Sequence, residues 1–216
     1  FHEWMTGTGI LYLKDRLPQV GTVFTTHATA VGRSLAGNNR PLYKNLTSYN
    51  GEEVAREFNI ISKQSAEKLA AQQADAFTTV SEITAKECSQ FLQKDVTRVT
   101  PNGFEDTFVP SGSQFDDMRT SGRKKLLDVA ESMFNQQFGD DVFLVATSGR
   151  YEFRNKGIDL FIDSLGALNR SDKINRPIIA YLLIPANHYG PRKDLKSDKS
   201  ASDMAFGSKY LTHNLH

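Results

Sequence analysis

The stretch SGRYEFRNKGID, residues 148–159, gathers three cations (Arg150, Arg154 and Lys156), two aromatic rings and two glycines. It follows the apolar run VFLVAT and precedes LFIDSLGALN, so it reads as a turn from a strand into a helix. Arginine grips phosphate oxygens with a fork, lysine adds a mobile point charge, and a helix start offers backbone N–H groups. Such a set suits a diphosphate. The spacing is neither that of a P-loop, which needs Gly-x4-Gly-Lys-Ser/Thr, nor that of a Gly-x-Gly-x-x-Gly fingerprint. On spacing alone, a solvated basic turn is the plain alternative.

A second strand end repeats the theme. In THATAVGR (26–33), His27 closes a β-branched run and Arg33 follows one to two helical turns later. Taken singly, the first reads as a structural histidine and the second as a surface charge. At the start, FHEW sets His2 beside Glu3; in a strand, adjacent residues point to opposite faces, so the two need not act together. No metal is expected, because the five histidines show no His-x3-His or Cys-His spacing. No Gly-x-Ser-x-Gly elbow marks a hydrolase nucleophile.

The elements that must position these residues alternate. Strands are expected at 20–28, 76–81, 96–103, 142–147 and 177–186, and helices at 29–37, 65–74, 82–93 (capped by Ser81), 113–137 and 156–169. The last helix carries Ile158, Phe161, Ile162, Leu165 and Leu168 on one face. Strands without polar alternation imply burial on both faces, and their alternation with helices implies parallel βα units, an α/β architecture. Ligands of open parallel sheets bind beyond the carboxyl ends of the strands, where His27, Asn102 and Arg150 would lie. The Pro- and Gly-flanked segment 101–114 is the linker candidate, and the polar tail from 191 onward is weakly patterned.

With 216 residues, one domain or two are allowed, and 39% apolar with 24% charged residues describes an ordinary globular chain. A net charge of +1 argues against nucleic acid or an anionic membrane as main partner, so any anion site must be local. The single cysteine, Cys88, allows no internal disulfide and points to a reducing, cytoplasmic setting. Apolar runs such as IIAYLLI fall short of the ~20 residues a membrane span needs. The chain opens without methionine and inside patterned sequence, so it is expected to be a piece of a longer protein.

Five blocks in order, FHEWMTGTG, FTTHATAVGRSLA, AFTTVSEIT, VTPNGFE and GRYEFRNKGID, resemble the glycogen synthases of glycosyltransferase family 3, as do LLIPA and the terminal THNL. The resemblance implies a GT-B fold of two Rossmann-like domains. Residues 1–107 would be the later part of the N-terminal domain and 108–216 the first part of the C-terminal, nucleotide-sugar-binding domain. It implies transfer of glucose from UDP-glucose to the 4-hydroxyl at a non-reducing end of an α-1,4-glucan, with retention, without a metal and without any other cofactor. Carried over by position, Arg150 and Lys156 would face the diphosphate, Arg33 would reach the donor phosphates, His27 would contact the transferred glucose and Glu3 would sit near it. Asn102, Gly103 and Gly149 would be further substrate-binding positions.

Departures accompany the match. The family's N-terminal glycine-rich loop and its late Glu-x7-Glu segment do not occur in this sequence. Where eukaryotic members contact glucose 6-phosphate through His, Glu, Gln and His, this chain has Ser113, Gln114, Asp116 and Arg119. Two competing readings stay open: another GT-B sugar transferase, or a non-catalytic module that binds nucleotide or glucan. Homo-oligomerisation of the full-length protein is equally open.

Overall fold

The threonine-rich strand expected at 20–28 forms over its middle part. In the computed structural model, β1 (Val23–Thr26) pairs in parallel with β2 (Ala76–Thr79), which pairs in parallel with β3 (Arg98–Val99). The structure describes residues 1–171, 173–193, 195 and 210–215. Most of the polar tail noted above, residues 196–209, lies outside them. The chain divides into two units, Phe1–Phe104 and Glu105–His216, and the main sheet of each is parallel and connected through helices. The architecture is α/β.

In the first unit, α1 (Glu3–Arg16), α4 (Ile61–Gln73) and α5 (Glu82–Leu92) supply the residues that bury Phe24 and Phe77. Those rings stack across β1 and β2 with centroids 5.7 Å apart, and Ile10, Ala70, Ala71, Cys88 and Leu92 close the core around them. Helices α2 (Ala30–Gly37) and α3 (Gly51–Glu57) form a second cluster with α5, through Val31, Leu35, Val54, Ala55 and Phe91. Ser81 caps α5 as expected, its hydroxyl accepting from the Thr84 N–H at 3.2 Å.

The structure departs from the sequence reading at three places here. Residues 3–16, for which the sequence suggested no element beyond an extended FHEW, are helical, although glycines at 7 and 9 weaken helix propensity. Tertiary packing overrides that weakness: a Cβ on Gly7 would stand 2.7 Å from the Ala70 Cβ, so the bare glycine lets α1 lie against α4. The strand expected over 96–103 shrinks to two residues, Arg98 and Val99, in register with Thr78 and Thr79 of β2. Sequence reading also passed over α3, a helix of seven residues that is too short to show an apolar period.

In the second unit, α6 (Gly112–Phe134) precedes a parallel pair, β4 (Phe143–Ser148) and β5 (Ile178–Leu183), joined through α7 (Ile158–Asn169). Ala130, Val142 and Ile179 form its small core, and the Tyr181 hydroxyl ties β5 to α6 by donating to the Leu126 carbonyl at 2.7 Å. Strands β6 (His188–Pro191) and β7 (His213–Leu215) pair antiparallel. Contrary to expectation, β4 and β5 are not buried on both faces: Phe143, Leu182 and Leu183 are exposed. The apolar face of α7 is likewise only partly covered, with Ile158 buried but Ile162 and Leu168 exposed. Two strands and two helices offer too little surface to cover both sides of a sheet. Among the described residues, no helix is long and apolar enough to cross a membrane.

Candidate functional site

Where β1 ends, the chain has to turn from a strand into α2, and three neighbouring elements converge on that turn. The first is residues 1–3. His2 forms an isolated parallel bridge with Thr25, extending the sheet edge by one residue, and Glu3 then swings away with φ 62 to begin α1. A non-glycine residue at positive φ costs roughly 1–2 kcal/mol and persists only where its surroundings hold it. What holds Glu3 is the turn itself, since its Oε1 accepts from the His27 N–H at 3.0 Å. His2 Nδ1 lies 3.2 Å from His27 Nε2, with the ring centroids 5.4 Å apart. The strand reading, which sent His2 and Glu3 to opposite faces, is therefore overturned. Both converge on His27, because the helix begins between them.

The second and third elements come from below. Thr26 donates its hydroxyl to Glu67 Oε1 at 2.7 Å, and the Ala30 N–H donates to Glu67 Oε2 at 2.9 Å. Thr29 caps α2 by accepting from the Gly32 N–H at 2.9 Å, and its own proton goes to Glu87 Oε2 at 2.7 Å. Tyr43 completes the set by donating to Glu87 Oε1 at 2.8 Å. Glu67, on α4, and Glu87, on α5, are both buried, at 0% and 4% exposure. Burial disfavours the charged form, so the Glu67 carboxyl is pushed up to about 7. The bonds from Ala30 and Thr26 oppose that rise, while the Glu3 and Glu87 charges add to it. Burial and its bond to Glu87 likewise push the Tyr43 hydroxyl up to about 12.

His27 itself is half-buried, and Arg33 is exposed on α2. Asn102 and Gly103 lie in the exposed segment after β3. Of the residues singled out in this unit, the structure joins Glu3 to His27. Sequence reasoning missed Glu67, Glu87 and Tyr43, and it set His2 aside. A signal for Glu67 exists in hindsight. It lies three and four residues before Ala70 and Ala71, on the small-residue face of α4 that meets the core.

The second unit holds the cation turn. Gly149 follows β4 with φ 156, a conformation L side chains rarely adopt, and the Lys156 stem runs past it: Lys156 Cγ is 3.8 Å from where a Cβ would stand. Arg150 Nη2 pairs with Glu152 Oε1 at 2.9 Å, and Arg154 Nη1 faces Asp159 Oδ2 at 3.8 Å. A tight turn of hydrogen bonds fixes the loop: Lys156 N–H to the Glu152 carbonyl at 3.0 Å and Gly157 N–H to the Arg154 carbonyl at 3.0 Å. Gly157 then caps α7 with φ 65. The first amides of α7 are engaged within the chain, Ile158 and Asp159 by the Phe153 carbonyl and Leu160 by the Asp159 side chain. Gly149, Arg150 and Lys156 thus come together on one short loop whose helix amides are occupied.

Comparison with known proteins adds the family. Residues 1–198 match the family model described as glycogen synthase. The chain is 35% identical over 192 residues to Glycogen [starch] synthase of Neurospora crassa, and 34% identical over 192 residues to Glycogen [starch] synthase, liver, of Rattus norvegicus. Isoform 1 of Glycogen [starch] synthase from Saccharomyces cerevisiae is 34% identical over 195 residues. Each alignment takes in 86% of this chain, which spans 27% of the length of each of these relatives.

Proposed function

The chain belongs to the glycogen synthase family, and from that membership we propose that it is part of a retaining glucosyltransferase. The full-length enzyme moves glucose from UDP-glucose to the 4-hydroxyl at the non-reducing end of an α-1,4-glucan. In this reading residues 1–107 are the later part of the N-terminal domain and 108–216 the first part of the nucleotide-sugar-binding domain of a GT-B enzyme, working in the cytoplasm. The observation that carries the reading is the continuity of the match: residues 1–198 include both the His27 turn and the Arg150 turn.

The chemistry follows from what each residue can do. As the bond from the glucose C1 to the phosphate oxygen breaks, its electron pair stays on that oxygen, and positive charge develops on the sugar. Arg150, Lys156 and Arg33 stabilise the departing diphosphate, where fixed cations help most because charge is growing. The acceptor 4-oxygen bonds to C1 on the face the phosphate leaves, and its proton passes to the leaving phosphate oxygen, so configuration is retained. His27 holds the transferred glucose. Glu3 fixes the His27 backbone through its N–H. Asn102, Gly103 and Gly149 complete the substrate contacts, the last by keeping its position clear of a side chain.

Initial rates of glucose transfer in the full-length enzyme test this. Arg150→Ala lowers kcat by about a hundredfold or more, the size of effect seen on removing one such donor. Arg150→Lys recovers little, since a point charge does not reproduce a fork. Arg154→Ala stays near wild type, as the family resemblance matches no role to that position. Equal losses at Arg150 and Arg154, or a change confined to KM for UDP-glucose, would show that the turn merely attracts anions.

A further inference from the structure

The four oxygens of Glu67 and Glu87 all take hydrogen bonds from neutral donors: the hydroxyls of Thr26, Thr29 and Tyr43 and the N–H of Ala30. Three of those donors belong to the segment between β1 and the first turn of α2, the segment that carries His27 and leads to Arg33. Burying two carboxylates is costly, and capping a helix requires only Thr29. The two glutamates come from separate helices, so together they clamp the turn at both ends, Glu67 across Thr26 and Ala30 and Glu87 at Thr29. The close fit extends to Gly32, where a Cβ would lie 2.2 Å from Glu87 Oε2.

We propose that Glu67 and Glu87 are positioning residues: they clamp the β1–α2 turn so that His27 and Arg33 meet the donor sugar and its phosphates in reactive geometry. The role rests on the function proposed above, but the clamp itself is a statement about the turn and can be read without activity. Both glutamates are buried, at 0% and 4% exposure. Their effect therefore falls on the alignment of groups that touch substrate, and misplacement by about 1 Å costs on the order of a hundredfold in rate.

The full-length enzyme carries the test, with UDP-glucose and glucan as substrates. Glu67→Ala and Glu87→Ala each lower kcat by about a hundredfold while KM for UDP-glucose moves far less. Glu67→Gln restores most of the loss. Its amide oxygen can accept from Ala30 and its NH2 can donate to Thr26, whose hydroxyl then turns to the Ala28 carbonyl, 3.4 Å away. Amide hydrogen exchange provides the independent reading. In Glu67→Ala, exchange at Ala30 and Gly32 accelerates by roughly ten- to a hundredfold while the β1–β2 ladder stays protected. Unchanged exchange at those amides overturns the clamp, as does a Gln variant no better than Ala, which would show that charge rather than position is required. If His27→Ala and Arg33→Ala keep full activity, the proposed function fails instead, and the exchange data alone decide the clamp.

Discussion

Glu67 should make the stability of this chain fall as pH rises, and replacing it with glutamine should remove that dependence. Its carboxyl is pushed from an ordinary 4.5 up to about 7, chiefly by burial. The folded state then binds a proton more tightly than the unfolded state, so the stabilisation is complete below 4.5 and is lost as pH passes through 7. At about 1.4 kcal/mol for each pH unit of displacement, the change between pH 5 and pH 8 amounts to about 2–3 kcal/mol. Glu3, Glu87 and Cys88 face the same region in both proteins, so the informative quantity is the difference between wild type and Glu67→Gln. Urea unfolding can be followed through Trp4, the single tryptophan of the chain, which lies on α1. The difference should tilt toward the variant with rising pH, by about 2–3 kcal/mol over this range. A flat difference, or wild type gaining ground at high pH, would mean that Glu67 is anionic throughout and that its hydrogen bonds outweigh burial.

Other outcomes follow from the same geometry. Gly32→Ala should cost about 2 kcal/mol in urea unfolding, because its methyl group would meet Glu87 Oε2 and Thr29 Oγ1 at 2.2 and 2.7 Å. Cys88 should resist thiol reagents at pH 8 in the native protein and react only as the chain unfolds: it is fully buried, and burial with the Glu67 and Glu87 charges pushes its thiol up to about 12. A disulfide-exchange colour assay would reveal a reactive native thiol at once. On the positional match that sets Ser113, Gln114, Asp116 and Arg119 against the contacts of eukaryotic members of the family, glucose 6-phosphate should not strongly activate the full-length enzyme. Initial rates with and without the effector decide this, and a large saturable activation would refute it.

Much of the scaffold was legible because it depends on local patterns. Threonine- and valine-rich runs mark β1 and β2, Ser81 marks the start of α5, and the apolar runs at 142–147 and 177–186 mark β4 and β5. Helix α1 was not legible. Only Gly7 and Ile10 are buried along its length, so it carries no apolar stripe, and its fit depends on Ala70, some sixty residues away. The face of α7 was read correctly as apolar, but its covering was not, because coverage depends on what packs against it.

The same division runs through the candidate site. Sequence alone determined the residue chemistry at the strand ends: a histidine and an arginine after β1, two cations on a glycine-flanked loop after β4, and blocks specific enough to mark the family. Those signals are local, since a side chain's charge and its place after a strand do not depend on distant partners. Tertiary structure alone decided that His2 and Glu3 converge on His27, and that Glu67 and Glu87 turn inward beneath it. In sequence, both glutamates sit in polar helical stretches where a carboxylate ordinarily faces water. They become buried groups only because α4 and α5 pack with those faces toward the β1–α2 turn, which supplies the hydrogen-bond donors that water would otherwise provide.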